Sequence, residues 1–426
     1  MPELRGRKKT VKTLVAALLV SIAVTPAMAG ESAGLMLPPG FHATVVADEL
    51  GAGARHVAVR ANGDVYVSTR KGRDEPKSAG VIAVKVGKDQ KAVETVHFSE
   101  VEGGTGMAIH NNALYVAGSD AIYRFKFEGN ALVPSAAPEV VVGGLPRGNM
   151  GLAFDGKGGL YLTVRAAGNI CVDPKAPKDQ KPVGLKPCPL LNNGGGVWRF
   201  DAEKAGQKFP TDGEQTVTGM RDMMAMAWSK DMNGMYGVMQ GRNGTAKLVP
   251  GMPDEDTVSE EMHRLDKGTD MGWPYTYYDT ALHARVLAPE YGGDGKMPAT
   301  EGNYATPVVA FGSHQSPVDL QFYDGKQFPQ KYRGGAFIAF QGGSGQEMLP
   351  NGRSGYNVTF VPFDKSGKPG TPEIFANNFA GPNPSDRNSG KAAFRPSGVA
   401  VAPDGSMYVV DTVKGRLWHI TYDGKN

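Results

Sequence analysis

Short runs of alternating apolar and polar residues recur along nearly the whole chain, and they come in pairs. Each pair has an apolar alternation, a turn of Gly, Asp or Asn, and a second alternation. The pattern is read in HVAVRANGDVYVSTR (56–70), GMAIHNNALYVAGS (106–119) and GLAFDGKGGLYLTVR (151–165). It returns in MAMAWSKDMNGMYGVMQ (224–240), VDLQFYDGKQFPQKYRGGAFIAF (318–340) and GVAVAPDGSMYVVD (398–411). A period of two marks a strand with one face buried, and the turn residues are those a tight hairpin needs. Six copies of one β unit fit a radial array, which limits exposed sheet edges. The expected fold class is therefore all-β, a six-bladed β-propeller, with two stacked β-sandwiches as the alternative.

Between the later copies lie insertions at about 168–195, 242–310 and 341–357, rich in Gly, Pro and charge. They are expected to form loops over one face, where function usually sits. No amphipathic helix of convincing length and no linker divides residues 30–426, which are expected to form one domain. The abundance of Gly (58) and Pro (30) suits many short strands joined by turns.

The N-terminus adds an expectation about location. Arg5, Arg7, Lys8, Lys9 and Lys12 precede the apolar stretch Leu14 to Val24, and Ala27-Met28-Ala29 offers small residues for cleavage before Gly30. That layout is a secretory signal peptide over residues 1–29, too short in its apolar part for a stable membrane span. The mature protein is expected to be periplasmic or secreted, without a membrane span. The leader holds five Lys/Arg and one Glu, so the chain's net +3 becomes −1 beyond it. Nucleic-acid binding thus has no compositional support. In an oxidising compartment Cys171 and Cys188, the two cysteines, are expected to pair. A free catalytic thiol or a metal pair is the competing reading, although no metal-ligand spacing accompanies them.

In a propeller the residue before each innermost strand sits at the channel mouth. Counting back from the turns places Arg147, Arg221, His314 and Arg395 there, on the third to sixth copies. Arginines in that position suit a ligand with several carboxylates, because guanidinium makes bidentate, charge-assisted contacts to them. A histidine could serve as a base near neutral pH. Solvated rim charges in ordinary pairs are the plainer reading. His56 and His110 flank inner strands and are expected to pack or cap turns, and His263 in SEEMHRLD to lie among the acids of a loop. PDEDTVSEE (253–261) lacks an EF-hand spacing and reads as a solvated acidic loop.

GMRDMMAMAWSKDMNGMYGVMQGRN (219–243) and DKGTDMGWPYTYYD (266–279) resemble the PQQ-dependent (quinoprotein) sugar dehydrogenases, the soluble glucose dehydrogenase superfamily. LPPGFHATVVA (37–47), VLAPEYGGDGK (286–296), YRGGAFIAF (332–340), GYNVTFVPF (355–363) and RPSGVAVAPDGSMYVVD (395–411) are similar to its sorbosone-dehydrogenase-like branch. The resemblance implies a six-bladed propeller that binds pyrroloquinoline quinone (PQQ) and Ca²⁺. It implies oxidation of an aldose or sugar-derived aldehyde, with electrons passed to a periplasmic acceptor. Residue by residue it implies Arg221 and Arg395 on the cofactor side, with Asp222 beside it; Arg147, placed at the mouth by its spacing from the turn, is a further cofactor-side candidate. Backbone carbonyls of Gly241 and Arg242 would hold the catalytic Ca²⁺, and Glu261 a structural Ca²⁺. The chain departs from the family pattern at three points. LPRGNMGLAF (145–154) has Arg147 where the family has its histidine base. Asp222 replaces an asparagine, and GGSGQEMLP (342–350) lacks the family's Trp and Arg. His314 is then the candidate base. A catalytically silent propeller binding a sugar, anion or protein, and a Ca²⁺-dependent lactonase, stand as the other readings.

Overall fold

The structure is a computed structural model that describes residues 31–70, 79–102, 106–177, 179–252, 258–343 and 354–424. The expected leader (1–29) and most of GGSGQEMLP lie outside the described residues.

Each of the six repeats forms the inner antiparallel hairpin of one sheet; two further strands complete four of the blades, and three complete blades two and three, whose outermost short strand pairs parallel. Blade one runs through Ala54–Val59, Val65–Thr69, Gly80–Val86 and Ala92–Ser99. Blade two begins with Met107–His110 and Ala113–Ala117, blade three with Leu152–Phe154 and Gly159–Val164. Blade four is Met223–Ser229, Gly234–Met239, Glu260–Arg264 and Val309–Phe311. Blade five is Pro317–Phe322, Ala336–Phe340, Asn357–Val361 and Glu373–Ala376. The first strand of every blade lies against the first strand of the next, and that of blade six lies against blade one. The strands therefore ring a central channel: a six-bladed β-propeller.

Blade six takes three strands from the C-terminal end, Pro396–Val401, Met407–Asp411 and Leu417–Tyr422. Its fourth is Phe41–Ala47 from near the other end, paired antiparallel with Leu417–Tyr422 from Phe41↔Tyr422 to Ala47↔Leu417. Phe41 anchors this closure. Its ring meets Phe328, Tyr332 and Phe375 edge-on at centroid distances of 4.8, 5.4 and 5.0 Å, and is tilted on Tyr422 at 4.8 Å. Such contacts add to the area an aromatic ring buries.

The insertions pack on one another. Cys171 and Cys188 form a disulfide, as expected, and lie in an apolar cluster with Trp273 from the second insertion. The Trp273 indole N–H donates to the Asn169 carbonyl (3.0 Å), and the Tyr275 hydroxyl accepts the Cys188 N–H (2.9 Å). The loop carrying Asn169 is thereby fixed over the channel mouth. Met220, Met223, Met226, Met235 and Met239, close together in sequence, are buried in one cluster.

Two loop expectations are corrected. His263 and Glu261 belong to the buried strand Glu260–Arg264, because that stretch is the third strand of blade four. Val258, Ser259, Glu260 and Glu261 of the acidic run's tail are all buried; residues 253–257 lie outside the described residues. His56 and His110 sit within inner strands and pack as expected, His110 stacked on Phe154 at 4.2 Å. Among the described residues no helix is long and apolar enough to cross a membrane.

Truncating Phe41 removes the ring that four aromatic neighbours share at the closure. Phe41→Ala should cost roughly 3–5 kcal/mol in denaturant unfolding. A loss below about 1 kcal/mol would show that the closure does not depend on this contact.

Candidate functional site

The face where inner strands begin carries a cleft of about 490 Å³ over blades four and five. That size lies in the range of small-molecule sites. Arg221, Gln240 and Gly241 line it from blade four, His314 and Ser316 from the entrance to blade five, and Asn169 from the disulfide-bearing insertion. Asn243, Gly244 and Lys247 complete the outer wall, with Glu260 at the base.

Glu260 organises this site. It is buried, and its carboxylate accepts the N–H of Gly241 (2.9 Å) on one oxygen and of Ser316 (3.2 Å) on the other. One side chain therefore ties the two segments that form opposite walls. Burial pushes its carboxyl up to about 7, against the downward pull of backbone N–H groups and Arg221. His314 and Ser316 both adopt left-handed φ values (58° and 59°), unusual for residues with a side chain. Such strain persists where surroundings hold it, and here the Glu260 contact to Ser316 is one restraint.

Glu261 points the other way, as strand alternation requires. Its carboxylate accepts Arg285 (2.6 Å), His263 (2.9 Å) and the Tyr278 N–H (3.3 Å). Burial alone would raise its pKa, but Arg285 and His263 bring it below the usual glutamate value. The carboxylate expected at a structural Ca²⁺ is thus already claimed by an internal ion pair. Among the described residues no group of three or more His, Cys, Asp or Glu is placed to hold a metal ion.

The QGRN segment turns sharply at the cleft. Gly241 is required there, since a Cβ would lie 2.5 Å from the Ser259 carbonyl oxygen. The Arg242 side chain leaves the cleft and makes a buried bidentate pair with Glu290, both bonds 2.6 Å. Neither the Gly241 nor the Arg242 carbonyl accepts a loop or turn backbone hydrogen bond among the described residues.

The four expected mouth residues are separated. Arg221 lines the cleft, its Nε–H donating to Asn169 Oδ1 (2.9 Å), and burial lowers its pKa. His314 lines the same cleft. Arg395 lies outside it, donating to the carbonyls of Gln341 (3.0 Å) and Gly342 (2.8 Å). Arg147 is exposed. Asp222, expected beside the cofactor, faces Arg165 at 3.7 Å, and burial raises its carboxyl pKa. Sequence reasoning missed Asn169 and Glu260. Asn169 had no local signal, whereas the pair Glu260-Glu261 on an alternating strand could have suggested two opposite roles.

Residues 294–423 match the family model described as TrAA12-like. No curated protein sequence matches the chain. Among solved structures, the chain is similar to the holo PQQ domain of pyranose dehydrogenase from Coprinopsis cinerea. The identity is 16%, covering 91% of this chain and 97% of that one, with a TM-score of 0.72. It is similar to the calcium structure of a Trichoderma reesei family AA12 protein at 16% identity, covering 94% and 98%, TM-score 0.72. Similarity to the Escherichia coli soluble aldose sugar dehydrogenase is 17%, covering 90% and 100%, TM-score 0.57. The shared feature is the propeller fold.

Because the Glu260 pKa of about 7 exceeds the ordinary 4.5, the folded protein holds this proton more tightly than the unfolded chain. Its contribution is complete below pH 4.5 and is lost as pH rises through about 7. Urea unfolding of metal-free protein should therefore show a stability decline over that window that is shallower in Glu260→Gln. Identical slopes would exclude Glu260 as its source.

Proposed function

We propose that the protein is an exported quinoprotein oxidoreductase that uses PQQ and Ca²⁺ to oxidise an aldose or sugar-derived aldehyde, with sorbosone-like compounds among the candidates. The observation that carries this reading is the cleft itself. Two cations, Arg221 and Lys247, stand beside backbone carbonyls that accept no loop or turn backbone hydrogen bond among the described residues, at the channel mouth of a fold shared with sugar dehydrogenases. The leader-like residues 1–29 and the disulfide support export.

The residues fit both groups. Arg221 and Lys247 suit the carboxylates of a tricarboxylic quinone, with Arg395 and the exposed Arg147 outside the cleft. The carbonyls of Gly241 and Arg242 are hard oxygen donors suited to Ca²⁺, and the Glu260 bond to the Gly241 N–H helps fix their direction. The quinone, when bound, accepts hydride, and the cation makes its carbonyl a better acceptor. His314 receives the proton of the substrate hydroxyl as the adjacent carbon loses hydride. Asp222 is turned to Arg165 and also lies in the field of Arg221, and both cations offset its charge beside the cofactor's carboxylates.

A second reading is a propeller that binds a ligand without oxidising it, favoured by Arg147 at the position of the family's histidine. Purified mature protein given PQQ and Ca²⁺ should bind the quinone and reduce a dye with at least one sugar of a panel. Binding without turnover favours the second reading, and neither binding nor turnover ends both the enzyme and the quinone assignment. His314→Ala should abolish turnover while leaving quinone affinity nearly unchanged; full activity in that variant removes the histidine from the mechanism.

A further inference from the structure

The second insertion encloses a cavity of its own. Its hairpin pairs Thr276–Asp279 with Ala284–Leu287, and the loop that follows folds back so that Pro298 bridges Val286. Hairpin, loop and Lys186 of the disulfide-bearing insertion surround a space of about 380 Å³. None of its lining residues belongs to the cleft.

Tyr275, Tyr291 and Tyr304 supply aromatic walls, with Leu287 and Met297 beside them. Tyr275 and Tyr291 meet edge to face at 5.0 Å, and both hydroxyls are used on the disulfide insertion. Tyr275 accepts the Cys188 N–H (2.9 Å), and Tyr291 donates to the Leu185 carbonyl (3.1 Å). These bonds fix the two rings before any ligand arrives. Gly184 and Gly302 leave the rings their space, since a Cβ on either would overlap Tyr291 or Tyr304. The Tyr304 hydroxyl, by contrast, makes no hydrogen bond among the described residues. At the rim the Lys186 ammonium pairs with Glu301 (2.8 Å), and both side chains are exposed.

These groups select among ligands. A cation is disfavoured, because Lys186 already stands 5.9 Å from the Tyr275 ring centroid. An anion would meet Glu301, and a wholly apolar ligand would strip water from the rim charges and the Tyr304 hydroxyl without replacing it. A pyranose ring has an apolar C–H face for the tyrosines and hydroxyls that both donate and accept. An exposed ion pair holds little free energy, so Lys186 and Glu301 can turn to such hydroxyls at small cost. The space is also of small-molecule size. We propose that this cavity is a second saccharide site, holding one neutral ring of an oligosaccharide outside the cleft where oxidation is placed. The choice of a sugar rests in part on the sugar-oxidising reading.

The test uses purified protein without quinone, with maltotriose and cellotriose as probes. Saturating the tyrosine ring protons in an NMR experiment should transfer to the C–H protons of at least one trisaccharide, and calorimetry should give its affinity. Tyr304→Ala, and Thr300→Trp on the exposed rim, should each weaken that affinity roughly tenfold. No transfer to either trisaccharide overturns the proposal. So does a loss in Arg221→Met as large as that in Tyr304→Ala, which would place the sugar in the cleft. If Tyr304→Ala fails to fold, Thr300→Trp decides by the same measure: unchanged affinity in it removes the cavity as the site. Dye-linked turnover with PQQ and Ca²⁺ is read separately. A trisaccharide bound here with no sugar of the panel oxidised would refute the oxidoreductase and support the saccharide site.

Discussion

A ring of separate sheets has no continuous ladder around it, so its integrity depends on how the first blade meets the last. Here residues 41–47 supply the outer strand of blade six, hydrogen-bonded along Leu417–Tyr422. Phe41 seats that strand among aromatic rings from blades five and six. The same junction positions the mouth, because Gly53, Thr412 and Arg395 bond backbone to backbone where blade one meets blade six. The closed ring fixes where each inner strand begins. The residue before each beginning then becomes a mouth residue or misses the mouth by a small margin, as Arg221 and Arg395 differ.

At the mouth, burial and pairing compete, and consecutive residues resolve the competition in opposite ways. Glu260 has backbone N–H donors and a distant arginine, so burial wins and its carboxyl titrates near neutrality. Glu261 has Arg285 and His263 within hydrogen-bond distance, so pairing wins and it stays ionised. Coulomb attraction at close range in a poorly screened interior exceeds the loss of hydration only when the partner is a direct contact. Arg242 shows the same rule, held by two short bonds to Glu290. These pairs spend their charges on holding insertions in place, which leaves Arg221 and Lys247 to face the cleft.

The insertions provide the third element. A disulfide, Trp273 and Tyr275 bind the loop around Asn169 to the second insertion, so a segment without strands becomes a rigid wall. Asn169 then steadies the Arg221 guanidinium and the Asn243 N–H from the same oxygen. Long loops over a propeller face can thus define a site when they carry their own small core.

The chain alone determined the six hairpins, because strand alternation and turn residues are local properties that survive in any surroundings. It also indicated the cysteine pair, and it placed Arg221 and His314 at the mouth through their spacing from the turns. Tertiary structure decided the rest. Which face of a strand a carboxylate takes, and whether a cation meets it there, depends on neighbours far away in sequence, as with Glu261 and Arg285. The loop-like SEEMHRLD became a buried strand because blade four needed its third member. Arg55 and Arg395, far apart in the chain, came close only because the ring closed, since blades one and six meet solely across that seam.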